Sequence, residues 1–155
     1  MRLAVSACLL GCPCRYDHKS CYSSCAAALA KEHELIPVCP EQMAGLPSPR
    51  KPVELCEGRV LTREGEDLSA VFEEGLDTAM QAVEGLQCEA AVLQQRSPSC
   101  GCGKIYDGSF ASRLIEGDGL FTRRLKEKGI PVFSIEELEA NPDCLNSRNR
   151  KQNTK

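Results

Sequence analysis

The sequence predicts an α/β fold: a three-layer, Rossmann-like open parallel sheet of about four strands in the order 2-1-3-4, with a β-hairpin inserted after the second strand. Three observations carry this. Short apolar runs alternate with helix-like segments, the pattern of a parallel sheet covered on both faces. The first run, Leu3–Leu10, is short and apolar but for Ser6, the pattern of a strand buried on both faces. The 155 residues, 42% hydrophobic and 26% charged, suit one soluble domain. The expected division is a single domain over 1–145 and a polar tail over 146–155.

The elements follow in chain order. Leu3–Leu10 ends at the turn signal Gly11–Pro13 and reads as the first strand. Residues 20–33 are rich in helix formers and predict a helix. Glu34–Cys39 reads as the second strand, and Pro37 pushes it toward a sheet edge or strand end. The three prolines within Gly45–Pro52 make a stiff, irregular loop. Val53–Thr62 splits at Glu57-Gly58, a hairpin turn between two short strands. Asp67–Leu86 is the clearest helix: Leu68, Val71, Phe72, Leu76, Ala79, Met80, Val83 and Leu86 recur at three- and four-residue steps, and Asp67 is placed to cap it. Glu89–Gln94 is the third strand, and Arg96–Gly108 a loop of Gly, Ser, Pro and Cys. Leu120–Lys128 is a short helix closed by Gly129, Ile130–Phe133 the fourth strand, and Ser134-Ile-Glu-Glu137 a capping box opening a last helix. The tail from Ser147 holds four cations and no acid, the composition of a solvated segment.

Composition narrows the function. The net charge is −3 and the pI about 5.5, so no broad basic field exists for duplex nucleic acid, and strong nucleic-acid binding is not expected. No apolar run reaches the length of a membrane span. Cysteine is the unusual residue, 11 copies beside only two histidines. An extracellular disulfide framework would leave a thiol over, because the count is odd, and the first apolar run stops too early for a convincing signal peptide. The expected compartment is the cytoplasm, with thiols kept for metal or catalysis. Cys12-x-Cys14, Cys21-x3-Cys25 and Cys100-x-Cys102 lack the C-x2-C spacing common in structural zinc sites.

Ligands of open parallel sheets bind beyond the carboxyl ends of the strands, at the point where strand order reverses. In this chain one cysteine stands at or just past each of three such ends: Cys8 where the first strand leads out, Cys39 at the end of the second and Cys100 past the third. Strands lie about 4.8 Å apart, so three thiols on neighbouring ends can converge. Three thiolates suit an iron–sulfur cluster with one iron open or a catalytic zinc with an open position. They also suit scattered structural or redox thiols, and spacing leaves all three open. Cys56, Cys88 and Cys144 read as packing residues. Cys12, Cys14, Cys21, Cys25 and Cys102 are ambiguous between protection, redox response and a second metal.

Four ordered motifs then carry a resemblance. They are Ser6-Ala7-Cys8-Leu9-Leu10-Gly11 with Cys14-Arg15-Tyr16-Asp17; Pro37-Val38-Cys39-Pro40-Glu41-Gln42 through Pro49-Arg50; Arg59–Gly65; and Ser97-Pro98-Ser99-Cys100-Gly101 with Ile105–Gly108. Over about residues 2–135 the sequence resembles the TudS-type thiouracil desulfidase family. It departs from the family pattern at Asp17-His18, where Asp-Gly is common, and at Gln94-Gln95. The resemblance implies a [4Fe-4S] cluster with three cysteine ligands, Cys8, Cys39 and Cys100, and one open iron. It implies a non-redox removal of sulfur from a small thiolated pyrimidine or related thioamide, giving the oxo compound and sulfide. It places Glu41 and a serine of the 97–99 segment, with Ser97 favoured over Ser99, at the acid/base positions. Arg15, Tyr16, Ser99 and Arg96 are candidates to hold the substrate. The alternatives are an ion pair of Glu41 with Arg50 or Arg15, an ordinary turn hydroxyl at Ser97, and, for the whole protein, a cysteine-rich zinc-binding or redox-sensing module without turnover.

Overall fold

The structure is a computed structural model describing residues 1–146; the polar tail expected over 146–155 lies, all but Asn146, outside the described residues. Its centre is a four-stranded parallel sheet in the order β2-β1-β5-β8, formed by β1 (Arg2–Ser6), β2 (Glu34–Val38), β5 (Ala90–Leu93) and β8 (Val132–Ser134). Counting sheet strands alone, this is the predicted order 2-1-3-4. β2 lies at an edge, where Pro37 costs no ladder bond on the open side.

Alternation along the strands divides the core. Leu3, Val5, Ala90 and Val92 face one side with Phe133, Ile135 and Leu138, against α1 (Ser24–Ala28) and α5 (Ile135–Ala140). Ala4, Ala91 and Leu93 face the other, packed on Leu76, Ala79 and Val83 of α3 (Ser69–Gly85) and on Phe121 and Leu125 of α4 (Leu120–Glu127). The result is helix, sheet and helix in three layers. The inserted hairpin pairs β3 (Val53–Cys56) with β4 (Arg59–Thr62), and Glu57 and Gly58 both take the positive φ that a tight hairpin turn needs.

Five local expectations change. The first strand stops at Ser6, and Ala7–Leu10 winds into a 3-10 turn that carries Cys8. The helix expected over 20–33 reduces to α1 and a 3-10 turn at Leu29–Lys31, because Ser23 caps the chain only there, accepting Ala26 N. Asp67 is not the cap of α3: Leu68 holds that position, while Asp67 Oδ1 accepts Ser69 N in a local turn. Leu86, at the end of the apolar stripe, lies past the helix and is exposed. Within the expected loop after β5, β6 (Lys104–Tyr106) forms a second small hairpin with β7 (Leu114–Glu116). A further helix, α2 (Pro40–Met43), is one turn starting directly after Cys39, with Pro at its first position.

Candidate active site

Connections leave β1 toward one side of the sheet and β5 toward the other, so the switch point falls between these two strands. Ser6 Oγ marks it, accepting Gln94 N at 2.9 Å across the gap where the ladder ends. A cavity of about 470 Å³ opens there. Cys8, Cys39 and Cys100 all line it, arriving from the exits of β1, β2 and β5. Cys14, one of the ambiguous thiols, lines it as well, whereas Cys12, Cys21, Cys25 and Cys102 lie outside the lining. All eleven cysteines are free thiols.

The four cavity thiols crowd one another. Cys14, 2% exposed, hydrogen bonds with both Cys39 and Cys8; the contact with Cys39 lowers its pKa, but the bond to Cys8 and burial push it up to about 12. Cys39 is raised by its bond to Cys14 and by burial. Burial pushes Cys100 up to about 12, against the opposing effect of a bond with Ser6. Such thiols hold their protons until a cation replaces them, which is the donor chemistry of a thiolate-ligated metal centre. Among the described residues, no group of three or more His, Cys, Asp or Glu stands as a holder for a single metal ion. A cuboidal cluster is larger than an ion: at metal–sulfur bonds near 2.3 Å it holds cysteine sulfurs roughly 6–7 Å apart. The lining thiols, with no histidine among them, are soft donors of the kind that iron–sulfur and zinc centres share.

Beside the thiols lies a polar group of three residues. Glu41, in the single turn of α2, is raised by burial, with Arg50 and Ser99 opposing. Ser99 Oγ, almost fully buried, donates to Glu41 Oε2 at 3.2 Å and lies 3.8 Å from Cys100 Sγ. Ser97 Oγ accepts the backbone amides of Ser99 and Cys100 at 3.1 and 3.2 Å and contacts Ser99 Oγ at 2.9 Å. Both lone pairs of Ser97 are thus engaged by amides, which leaves its own proton to donate to Ser99. The turn-hydroxyl alternative describes Ser97's bonding, and the direct contact with Glu41 belongs to Ser99.

The Arg50 alternative is also present, as a buried ion pair. The Arg50 side chain is 8% exposed; Nη2 stands 3.7 Å from Glu41 Oε1 and Nη1 donates to Pro47 O at 3.1 Å. Among the described residues, Arg50 Nε is the buried side-chain polar atom without a hydrogen-bond partner. The loop that carries it is tied to the segment after Cys8: Arg50 N donates to Tyr16 O at 2.7 Å, and Ser48 Oγ to Arg15 O at 2.6 Å. Arg15 and Tyr16 line the cavity, as do Arg96 and Ser99. The Arg15 guanidinium is partly engaged, donating to Cys21 Sγ at 2.7 Å, pairing with Asp17 at 3.6 Å and lying over the Tyr16 ring. Sequence reasoning did not single out Ser6 or give Cys14 a place in this site, and it treated Arg50 only as a competing partner. The motifs contained all three, but nothing in the spelling separates a cavity residue from a turn residue.

Residues 3–137 match the family model described as 2-thiouracil desulfurase. The uncharacterized protein YbbK of Bacillus subtilis (strain 168) is 33% identical over 146 residues, covering 88% of this chain and 97% of that protein. The solved structure of a [4Fe-4S]-dependent thiouracil desulfidase, TudS, is 39% identical with a TM-score of 0.86, covering 94% of this chain and 97% of that one.

Proposed function

The chain belongs to the 2-thiouracil desulfurase family, and from that premise we propose that it is a [4Fe-4S]-dependent desulfidase acting on a thiolated pyrimidine. The reaction converts a thiocarbonyl and water into a carbonyl and hydrogen sulfide, without net oxidation or reduction. The observation that carries the reading is the meeting of three strand-end cysteines with the buried carboxyl group of Glu41, its pKa raised by burial, in one cavity at the switch point of the sheet.

Cys8, Cys39 and Cys100 would hold the cluster, which when bound supplies a soft Lewis acid with one iron open to sulfur. Ser6, hydrogen bonded to Cys100, and Cys14, hydrogen bonded to Cys8 and Cys39, would position the ligands. Glu41 is the general base: its carboxylate takes a proton from the water that attacks the thiocarbonyl carbon, and returns it to the departing sulfur or to a ring nitrogen. Ser99 holds Glu41 Oε2, and Ser97 completes the chain of hydroxyls behind it. Arg50 steadies the other oxygen. Arg15 and Tyr16 stand at the cavity wall to meet the substrate.

The test is anaerobic reconstitution with iron and sulfide, followed by incubation with 2-thiouracil. A brown protein that releases uracil and sulfide in equal amounts is the expected result, and Cys39→Ala should lose both colour and turnover. Colourless, iron-free protein after such treatment would end the reading. Stoichiometric zinc without sulfide release would favour a cysteine-rich binding module instead.

A further inference from the structure

We propose that Phe110 is a specificity-determining residue of this cavity, its ring forming the flat wall against which a planar thiolated heterocycle lies; the proposal rests on the desulfidase reading above. Phe110 lines the same cavity as Cys39, Cys100 and Glu41 but comes from the far side, on the loop between β6 and β7. The loop is closed at its base by Asp107 N donating to Arg113 O at 3.0 Å. Glu54 of β3 reaches into it, and its Oε1 accepts both Gly108 N at 3.0 Å and Phe110 N at 3.2 Å. Gly108 seats the loop on β3: a Cβ there would lie 2.8 Å from Leu55 O, so a larger residue would lift the loop away.

The backbone of Phe110 is left-handed, at φ 58°, which a bulky side chain rarely adopts. Such conformations persist where the surroundings fix them, and they gather at ligand contacts. The Arg63 guanidinium, which lines the same cavity, lies over one face of the Phe110 ring, 5.6 Å from its centre, and holds the ring in place. A carboxylate, a close-packed glycine and a cation thus fix one half-buried aromatic ring on a cavity wall. Glu41 and the thiols address the sulfur-bearing edge of a substrate. None of them addresses the face of its ring, and a flat aromatic wall does.

The test uses the anaerobically reconstituted holoprotein and its Phe110→Ala, Phe110→Leu and Phe110→Tyr variants. Two quantities are read: the Kd of uracil by calorimetry, which needs no turnover, and KM for 2-thiouracil beside the acyclic thioamide thioacetamide. Phe110→Ala should weaken uracil binding and raise the 2-thiouracil KM about tenfold, the size of one base–aromatic contact. Phe110→Tyr should restore both to within about twofold, and Phe110→Leu should not. The thioacetamide KM should move much less than that of 2-thiouracil in every variant. Uracil binding unaffected by Phe110→Ala, or Leu serving as well as Tyr, overturns the proposal. Equal weakening for the ring and the acyclic thioamide does the same, because it marks a merely structural wall. Wild-type turnover with a Phe110-independent uracil Kd rejects this proposal and leaves the desulfidase. Phe110-dependent uracil binding without sulfide release rejects the desulfidase and leaves the wall.

Discussion

Ser97 and Ser99 differ by two positions and by everything else that matters to a proton. Ser97 spends its acceptor capacity on two backbone amides, which is turn chemistry. Ser99 is buried against Glu41 and Cys100. Their substitutions should therefore separate. Ser97→Ala strips two amides of their acceptor and should lower stability by about 1–2 kcal/mol in urea denaturation. Ser99→Ala should leave the turn intact and cut kcat/KM about tenfold or more, because Glu41 loses its neutral partner. Glu41→Gln should lower the rate by about 10²–10⁴, the usual share of a positioned acid or base. An unimpaired Glu41→Gln enzyme would remove Glu41 from the proton path. This is also where the sequence was least legible. A Ser-Pro-Ser-Cys string suits a hydroxyl that braces a turn and one that serves a carboxylate, and only the fold brings Glu41, 58 residues away, against the second.

At the scale of elements, the site depends on how closely helices approach one another. α2 carries Glu41 and starts directly after Cys39, and it rests on Gly75 of α3: a Cβ at Gly75 would fall 2.1 Å from Pro40 O and 2.6 Å from Ala44 Cβ. Gly119, before α4, does the same for the serine loop, with a Cβ falling 2.4 Å from Ser99 O. Alanine in a helix interior ordinarily gains about 1 kcal/mol over glycine. Gly75→Ala should instead lose about 1–3 kcal/mol through overpacking and displace α2, so iron content per chain after reconstitution should fall with stability. A stable Gly75→Ala protein with full iron would show that α2 tolerates displacement. The long stripe of α3 was legible because 17 residues repeat the period many times. The three-residue strands β6 and β7 were not, because their pairing is set by docking against β3 and by Glu54 reaching into the loop between them. α1 was overextended because residues 20–33 favour helix, whereas the chain before Ser23 is held by Cys8 O and Leu9 O instead.

The molecule as a whole brings chain positions 8, 39 and 100, each at the exit of a different strand of a single parallel sheet, to the lining of one cavity. Strand order was legible because alternation of short apolar runs and helices leaves few topologies, and the switch point follows from that order. A cluster held by these three cysteines, as proposed, would couple its occupancy to the whole sheet. A group bound at hundreds of times its dissociation constant adds about 3–4 kcal/mol to the folded state. For a chain of this size that corresponds to about 5–15 °C in Tm. Reconstituted protein should thus melt that much above the apoprotein under anaerobic conditions. The gain should vanish in Cys8→Ser, Cys39→Ser and Cys100→Ser alike, because each cuts one strand out of the tripod. It should survive Cys88→Ser: that thiol precedes β5, at the end of the sheet away from the cavity, and its loss lowers apo and reconstituted forms together. A full gain in any one of the three ligand variants would show that the bound group does not span the sheet.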